Sequence, residues 1–163
     1  MSKISAGILG TGYYVPERVL TNFDLEKMVQ TNDAWIVERT VIHERRIAAP
    51  DEPVSALAQR AAEMALADAG VAAEDLDLII MATLTSDRII PSTACVLQDR
   101  LGAKHAAAFD LSAACSGFVY AASIAAQFIE SGVYRHVIVI GGENLSKVID
   151  WTDRNTCILF GDG

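Results

Sequence analysis

The chain has 163 residues, of which 52% are hydrophobic and 21% are charged, and its formal net charge is −8. This length and composition fit one packed globular domain and exclude a disordered chain. Nucleic acid is a poor candidate partner, because its binding requires clustered positive charge. No apolar run is long enough to cross a membrane, and the first residues lack a secretory signal, so we expect a cytoplasmic protein.

Apolar periodicity and turn signals predict alternating strands and helices along the chain. Strands are predicted at residues 4–14, 78–83, 107–111, 137–140 and 156–160. Helices are predicted at 23–29 with Asn22 as cap, at 33–38 with Asn32 as cap, and at 54–69, 91–101 and 115–130. The last helix is almost wholly apolar, so we expect it to be buried on all sides. This alternation predicts an α/β fold with a mostly parallel sheet.

Cys115 is the candidate nucleophile. It follows a predicted strand and a run of small residues, at the start of the helix predicted at 115–130. The free N–H groups and the helix dipole at such a position stabilise a thiolate, and the same N–H groups can hold an oxyanion. Spacing alone leaves open the alternative of an inert buried cysteine. Cys95 and Cys157 are expected to be structural, and the wide spacing of the three predicts neither a disulfide framework nor a metal site.

Residues 31–46 form a second candidate feature, because they combine three arginines with Trp35 in an acidic chain. Arginine binds phosphate and an indole ring stacks on a base, so this stretch could bind a phosphorylated ligand that contains a base. The residues taken alone favour the alternative of a solvated turn with the tryptophan in the core.

The glycines at 7, 10 and 12 do not complete a dinucleotide-binding fingerprint. Val15 occupies the position of the third glycine, and Pro16 follows where a helix should begin. The glycines are therefore expected to allow close packing of a central strand. The three histidines show no metal-ligand spacing and are expected to be structural or exposed; they are His43, His105 and His136.

Several separate motifs together resemble β-ketoacyl-acyl-carrier-protein synthase III, the priming condensing enzyme of fatty-acid synthesis in the thiolase-like superfamily. They occur in the family's order and are residues 31–48, 91–95, 109–118, 152–154 and 160–163. The resemblance implies the N-terminal half of a duplicated, layered α/β/α thiolase-like fold. Residues 1–163 would form the domain that carries the nucleophile, and the C-terminal half would be absent from this chain.

The resemblance also implies roles for individual residues. Cys115 matches the residue that accepts the acyl group, and Trp35 and Arg154 match the pair that sandwiches the adenine of coenzyme A. Thr31 and Arg39 match further coenzyme contacts. The residues that match the acyl pocket are Leu84, Ile90 and Leu145. The chain departs from the family where glycine is usual, at Val41 and Asn155, and where arginine is usual, at His43.

The implied reaction has two stages. Cys115 takes a short acyl group from acyl-coenzyme A and then condenses it with malonyl-acyl carrier protein, with loss of carbon dioxide, to give 3-oxoacyl-acyl carrier protein. Acyl-coenzyme A is a substrate, and no permanently bound cofactor or metal is expected. The family takes a catalytic histidine and asparagine from the C-terminal half, and no histidine of this chain matches. Expected partners are acyl-coenzyme A, the carrier protein, that half and a second copy in a homodimer.

Two alternatives remain open at the level of sequence. One is a related synthase of secondary metabolism that uses another acyl primer. The other is an inactive fragment or binding subunit. The retained Cys115 argues against an inactive binding subunit but not against a fragment.

Overall fold

A computed structural model describes residues 4–163 of the chain. The strands are β1 Arg18–Thr21, β2 Glu44–Ile47, β3 Leu78–Ala82, β4 Ala107–Leu111 and β5 Val137–Gly141. The helices are α1 Asn22–Leu25, α2 Asp33–Thr40, α3 Val54–Ala69, α4 Thr93–Leu101 and α5 Gly117–Glu130. The contacts divide the chain into two compact units. The three-strand unit contains residues up to Tyr14 and Val54–Gly142, and the two-strand unit contains Val15–Pro53 and Glu143–Gly163.

The three-strand unit is built on a parallel sheet, as the sequence predicts, and its strand order is β4-β3-β5. Every residue of the central strand β3 is buried. Ile79 and Met81 join one core cluster with residues of α3 and α4, whereas Leu78 and Ile80 join another with residues of α5. The continuous apolar run in β3 is thus explained by helices that cover both faces of the sheet.

Helix α5 is covered on one side only among residues 4–163, so the predicted burial on all sides is wrong for the described chain. Gly117, Ala121 and Ala125 are its buried residues. Phe118 and Val119 are 53% and 61% exposed, because the sheet covers the opposite side of the helix. Within residues 4–163, no helix is long and apolar enough to cross a membrane.

The predicted strand at residues 4–14 is also wrong, since this segment joins no ladder among residues 4–163. Its Ile8 is 88% exposed. The segment instead follows α3, where the Thr11 N–H donates to Asp68 Oδ2 at 2.8 Å. A Cβ added at Gly12 would lie 2.2 Å from the carbonyl oxygen of Ala61. The expected close packing at this glycine is therefore present, but against a helix and not within a sheet.

We expect Gly12→Ala to lower the free energy of unfolding by about 1–3 kcal/mol, because the new methyl group would collide with helix backbone. Gly7→Ala is the matched control, since a Cβ at Gly7 meets nothing within 4 Å. It should change stability by less than about 0.5 kcal/mol. Urea unfolding of both variants measures the difference, and equal effects would contradict the close contact with α3.

In the two-strand unit, β1 and β2 form an antiparallel ladder that the sequence did not predict. Thr21 caps α1, where its hydroxyl accepts from the Asp24 N–H at 3.2 Å and the Asp24 carboxylate accepts from the Thr21 N–H in return. The prediction that Asn22 caps this helix is therefore wrong. Helix α2 begins at Asp33 with Asn32 as its cap, as predicted, and it continues to Thr40.

The predicted strand at residues 156–160 is a series of turns. The Cys157 N–H donates to the Asp153 carbonyl oxygen at 3.0 Å, and the Leu159 N–H donates to that of Thr156 at 3.1 Å. These short-range hydrogen bonds use the backbone groups that a strand would pair with a neighbour. Cys157 and Ile158 are nevertheless buried, in a core cluster that also contains Leu20, Leu25, Ile36 and Ile47.

The Gly161–Asp162 motif is fixed beside β2. A Cβ at Gly161 would lie 2.8 Å from the Arg46 carbonyl oxygen, so only glycine fits this approach without a shift of the backbone. The buried Asp162 carboxylate accepts from the Ala48 N–H at 2.7 Å and from the N–H and hydroxyl of Ser146 at 2.8 and 2.6 Å. One carboxylate thus joins three chain segments of this unit.

Candidate active site

Cys115 lies beyond the carboxyl end of β4, at the sheet edge where α/β proteins commonly place their functional groups. It lies in the 3₁₀ turn Ala114–Ser116, which joins β4 to α5. Gly117 brings the start of α5 close to the sheet, because a Cβ there would lie 3.2 Å from the Cβ of Ala82. The run of small residues before Cys115 thus allows a tight connection between β4 and α5.

The backbone beside Cys115 adopts an unusual conformation. Ala114 has a φ of 48°, in the left-handed region, which costs a residue with a side chain about 1–2 kcal/mol. Strain of this kind concentrates at functional sites. Cys115 itself is exposed, so the alternative of an inert buried cysteine does not describe this residue.

Two amides close to Cys115 are already bonded. The Ser116 N–H donates to the Ala113 carbonyl oxygen at 3.2 Å, and the Gly117 N–H donates to that of Ala114. Neither is available to an acyl oxygen in this conformation. The N-cap residue Ser116 makes no side-chain hydrogen bond to α5. Any oxyanion donor from this segment must therefore be another amide of the turn or of the first turn of α5.

The other two cysteines lie in more protected places. Cys95 is half-buried in α4, with its Sγ 3.3 Å from the Ser92 hydroxyl oxygen. Cys157 is fully buried, and burial, followed by the negative charge of Asp153, raises the pKa of its thiol above the ordinary value. Both environments fit the structural role that the sequence predicts for them.

We expect iodoacetamide to label Cys115 at least about tenfold faster than Cys95 or Cys157, because thiol reactivity depends on exposure and on thiolate character. Peptide mass spectrometry after timed quenching measures the three rates. Labelling in denaturant is the control, since the three cysteines should then react alike. Equal rates in the folded protein would contradict a specially reactive Cys115.

In the two-strand unit, three of the predicted coenzyme residues lie together. The guanidinium carbons of Arg154 and Arg39 lie 4.2 and 4.4 Å from the centre of the Trp35 ring. The backbone N–H of Trp35 donates to Asn32 Oδ1 at 2.8 Å, which fixes Trp35 in the first turn of α2. Thr31 directly precedes this cap, and its buried hydroxyl oxygen has no hydrogen-bond partner among residues 4–163.

The contact between Arg154 and Trp35 is closed. Arg154 also donates from Nη1 to the Gln30 carbonyl oxygen at 3.0 Å. A flat base placed between an indole ring and a guanidinium needs about 7 Å, since each stacking distance is about 3.5 Å. Arg154 must therefore move outward by about 3 Å before a base can enter between the two groups.

Two carboxylates shape the segment that carries Arg154. Asp150 accepts from the N–H and hydroxyl of Thr152 at 2.9 and 2.7 Å. Asp153 accepts from the Asn155 N–H at 3.0 Å and from the Thr156 hydroxyl at 2.8 Å. These hydrogen bonds lower the pKa of both carboxyls below the ordinary value.

The backbone conformation at Val41 favours glycine, the residue that is usual at this position in the resembled family. It ends α2 with a φ of 60°, a conformation that a β-branched residue adopts only at a cost. Asn155, at the other such position, does not have a positive φ. The two departures therefore differ, since only the one at Val41 strains the backbone.

We expect Val41→Gly to raise the free energy of unfolding by about 1 kcal/mol, because relief of the strain exceeds the entropy cost of glycine. Little packing is lost, since Val41 is 77% exposed. Val19→Gly is the control: Val19 is an exposed valine in β1 of the same unit, and glycine there should destabilise the protein. Thermal unfolding of both variants provides the test, and a lower melting temperature for Val41→Gly would contradict the prediction.

The residues predicted to line an acyl pocket are divided between the units. Leu84 and Ile90 lie in the segment between β3 and α4 of the three-strand unit, where they are 52% and 84% exposed. Leu145 is partly buried at the start of the 3₁₀ turn Leu145–Lys147 in the two-strand unit. Within its own unit, neither Leu84 nor Ile90 is enclosed by the described residues.

A parallel sheet covered by helices, with a cysteine in a turn at the carboxyl ends of its strands, fits the thiolase-like class of enzymes. Residues 109–163 match the family model of 3-oxoacyl-[acyl-carrier-protein] synthase III. The chain is 62% identical over 160 residues to β-ketoacyl-[acyl-carrier-protein] synthase III of Desulfitobacterium hafniense, with 98% of this chain and 48% of that protein covered. It is 63% identical over 161 residues to the protein of the same name from Caldanaerobacter subterraneus, with 99% of this chain and 49% of that protein covered.

A solved structure, 3-oxoacyl-[acyl-carrier-protein] synthase III of Aquifex aeolicus, superposes with a TM-score of 0.93 at 57% identity. It is matched over 95% of this chain and 50% of that one. The predicted resemblance to the N-terminal half of β-ketoacyl-acyl-carrier-protein synthase III, with its thiolase-like fold, is thus confirmed. The chain spans about half the length of the curated relatives that it matches.

Proposed function

We propose that this chain is the nucleophile-bearing part of a β-ketoacyl-acyl-carrier-protein synthase III that starts fatty-acid chains. The observation that carries the proposal is the exposed thiol of Cys115 in a strained turn at the carboxyl edge of the sheet. A thiol so placed can be acylated, whereas Cys95 is half-buried and Cys157 is buried.

In the proposed first stage, the Cys115 thiolate attacks the carbonyl carbon of a short acyl-coenzyme A. A carbon–sulfur bond to Cys115 forms, the bond to the coenzyme sulfur breaks, and the coenzyme leaves as a thiol. In the second stage, the malonyl group on the carrier protein loses carbon dioxide and leaves an enolate. The enolate carbon attacks the acyl carbonyl, and the Cys115 thiolate departs as 3-oxoacyl-acyl carrier protein forms.

The coenzyme would bind through its adenine and phosphates in the two-strand unit. Arg154 and Trp35 would separate to hold the adenine between them, and Thr31 and Arg39 would make the neighbouring contacts. The chemistry of these groups supports the assignment, since an indole and a guanidinium both stack on a base, and guanidinium groups bind phosphate. Leu84, Ile90 and Leu145 would contact the acyl group.

Decarboxylation and condensation would need the histidine and asparagine of a C-terminal half. That half would also cover apolar side chains that are exposed here, among them Ile8, Phe118 and Val119. Burial of such residues is strongly favourable, at about 25 cal/mol for each Å² removed from water. We place the complete enzyme in the cytoplasm as a homodimer, with acyl-coenzyme A and malonyl-acyl carrier protein as its substrates.

Initial rates of the full-length protein test the proposal when acetyl-coenzyme A and malonyl-acyl carrier protein are varied together. A two-stage mechanism with an acyl-enzyme predicts parallel lines in double-reciprocal plots and release of coenzyme A before any 3-oxoacyl product. Activity with other acyl primers but with no short acyl-coenzyme A would favour the related synthase of secondary metabolism. Absence of both acylation and condensation would identify an inactive binding subunit.

A further inference from the structure

Arg45 is a buried cation without a carboxylate partner. It is 6% exposed, and no Asp or Glu oxygen among residues 4–163 lies within 4.0 Å of its guanidinium nitrogens. A buried charge is costly unless its hydrogen-bonding capacity is used. The partners of Arg45 therefore indicate what this buried charge accomplishes.

Among residues 4–163, the hydrogen bonds of the Arg45 guanidinium go from its two Nη atoms to neutral oxygens, and its buried Nε has no partner. Nη1 donates to the Leu20 carbonyl oxygen at 3.2 Å. Nη2 donates to Asn22 Oδ1 at 2.9 Å and to the Ile158 carbonyl oxygen at 3.1 Å. The guanidinium thus joins β1, the start of α1 and the turn segment that also contains Arg154.

Asn22 extends this connection to α2. Its side chain is fully buried, and its Nδ2 donates to Asp33 Oδ1 at 2.8 Å and to the Ile42 carbonyl oxygen at 2.7 Å. Asp33 is the first residue of α2, two residues before Trp35. The orientation of the amide is fixed, because Asn22 Oδ1 faces a donor and Nδ2 faces two acceptors.

We propose that Arg45 and Asn22 are positioning residues that set the spacing of the adenine site, a role that rests on the proposed coenzyme binding. One arm runs from Arg45 through Asn22 and Asp33 to the helix that carries Trp35. The other arm runs from Arg45 to the Ile158 carbonyl, four residues beyond Arg154. Neither residue touches the ligand. Together they hold the backbone that carries Trp35 and the backbone that carries Arg154 at a set distance.

A rigid connection of this kind matters because the Trp35 ring and the Arg154 guanidinium must separate by a limited distance when a base enters. Trp35 is held by its helix, and Arg154 must move by about one stacking distance to admit a base. If α2 and the turn segment also shifted, part of the binding energy would go into ordering them. The Arg45–Asn22 network keeps both backbones fixed, so that the Arg154 side chain alone has to move.

Asn22→Asp in the full-length protein tests the proposal. The new carboxylate still accepts from Arg45, but it faces Asp33 and the Ile42 carbonyl without a proton to donate, so the arm to α2 is broken. The readout is kcat/KM for acetyl-coenzyme A divided by kcat/KM for acetyl-pantetheine, which lacks the nucleotide. We expect this ratio to fall about tenfold, the value of one good buried hydrogen bond.

A second change should restore the connection. In Asn22→Asp combined with Asp33→Asn, the amide at position 33 donates to the carboxylate at position 22, and the ratio should return to within about threefold of the original.

Asp33→Ala alone breaks the arm at a less buried position and should also lower the ratio. This variant keeps the test valid if Asn22→Asp does not fold. Ile158→Val is the control, because it trims the same core and leaves every hydrogen bond in place.

The outcomes separate this inference from the proposed function. A ratio unchanged by Asn22→Asp and Asp33→Ala, or an equal loss with both substrates, would overturn the positioning role. If Trp35→Ala also left the ratio unchanged, the coenzyme site itself would be refuted. A lower ratio in Trp35→Ala together with an unchanged ratio in both network variants would refute only the role of Arg45 and Asn22.

Discussion

Cys115→Ser should reduce acyl transfer from acetyl-coenzyme A by at least about 10³-fold, because the serine hydroxyl is a far weaker nucleophile than a thiolate. The substitution changes one atom in a side chain that is exposed and packs little. Stability should therefore change by less than about 0.5 kcal/mol, and the loss can be attributed to chemistry. Release of coenzyme A in a single turnover of the full-length protein is the appropriate measurement.

Cys95→Ser is the matched control for this prediction. Cys95 lies in the same unit, and its sulfur interacts with the Ser92 hydroxyl and the Ala108 carbonyl oxygen. A serine there can keep these contacts, so single-turnover release of coenzyme A should remain within about twofold. A Cys115→Ser protein that still transfers acyl groups at the original rate would show that another residue is the acceptor.

Trp35→Ala should raise the KM for acetyl-coenzyme A between about fivefold and about a hundredfold. Stacking of one base on an aromatic ring contributes about 1–3 kcal/mol, and loss of the ring removes this contribution. The acetyl group itself does not stack, so the effect on acetyl-pantetheine should be much smaller. Steady-state kinetics with both substrates measures the effect.

Two further variants sharpen this prediction. Trp35→Phe retains a flat ring and should give an intermediate KM. Trp151→Phe removes the other tryptophan of the same unit, whose Nε1 donates to the Ser146 carbonyl oxygen at 3.0 Å. It should affect stability more than KM. An unchanged KM in Trp35→Ala would mean that this ring serves the core alone.

The elements of the three-strand unit were largely predictable from the sequence. Leu78–Ala82 is a continuous apolar run that helices cover on both faces, and the strong period of Val54–Ala69 gave the bounds of α3. The segment 4–14 has the composition of a buried strand but no strand partner in the described chain. Composition alone does not indicate whether a partner strand exists, and for this reason the prediction failed.

The candidate site was predictable where one residue type has a distinctive chemistry. Cys115 stands before a long apolar helix, and this position was readable from the sequence. The role of Arg45 was not, because its partners are Asn22, distant in sequence, and backbone oxygens. The strain at Ala114 also gave no signal, since alanine is not a residue that marks a left-handed backbone.

Cys115 should carry the acyl group between the two stages of the proposed reaction. The most direct measurement is peptide mass spectrometry of the full-length protein after incubation with acetyl-coenzyme A and no carrier protein. We predict one acetyl group per chain, attached as a thioester to the peptide that contains Cys115 and removed by hydroxylamine or by malonyl-acyl carrier protein. Acetylation at another residue, or an unmodified Cys115 peptide while coenzyme A is released, would contradict the account.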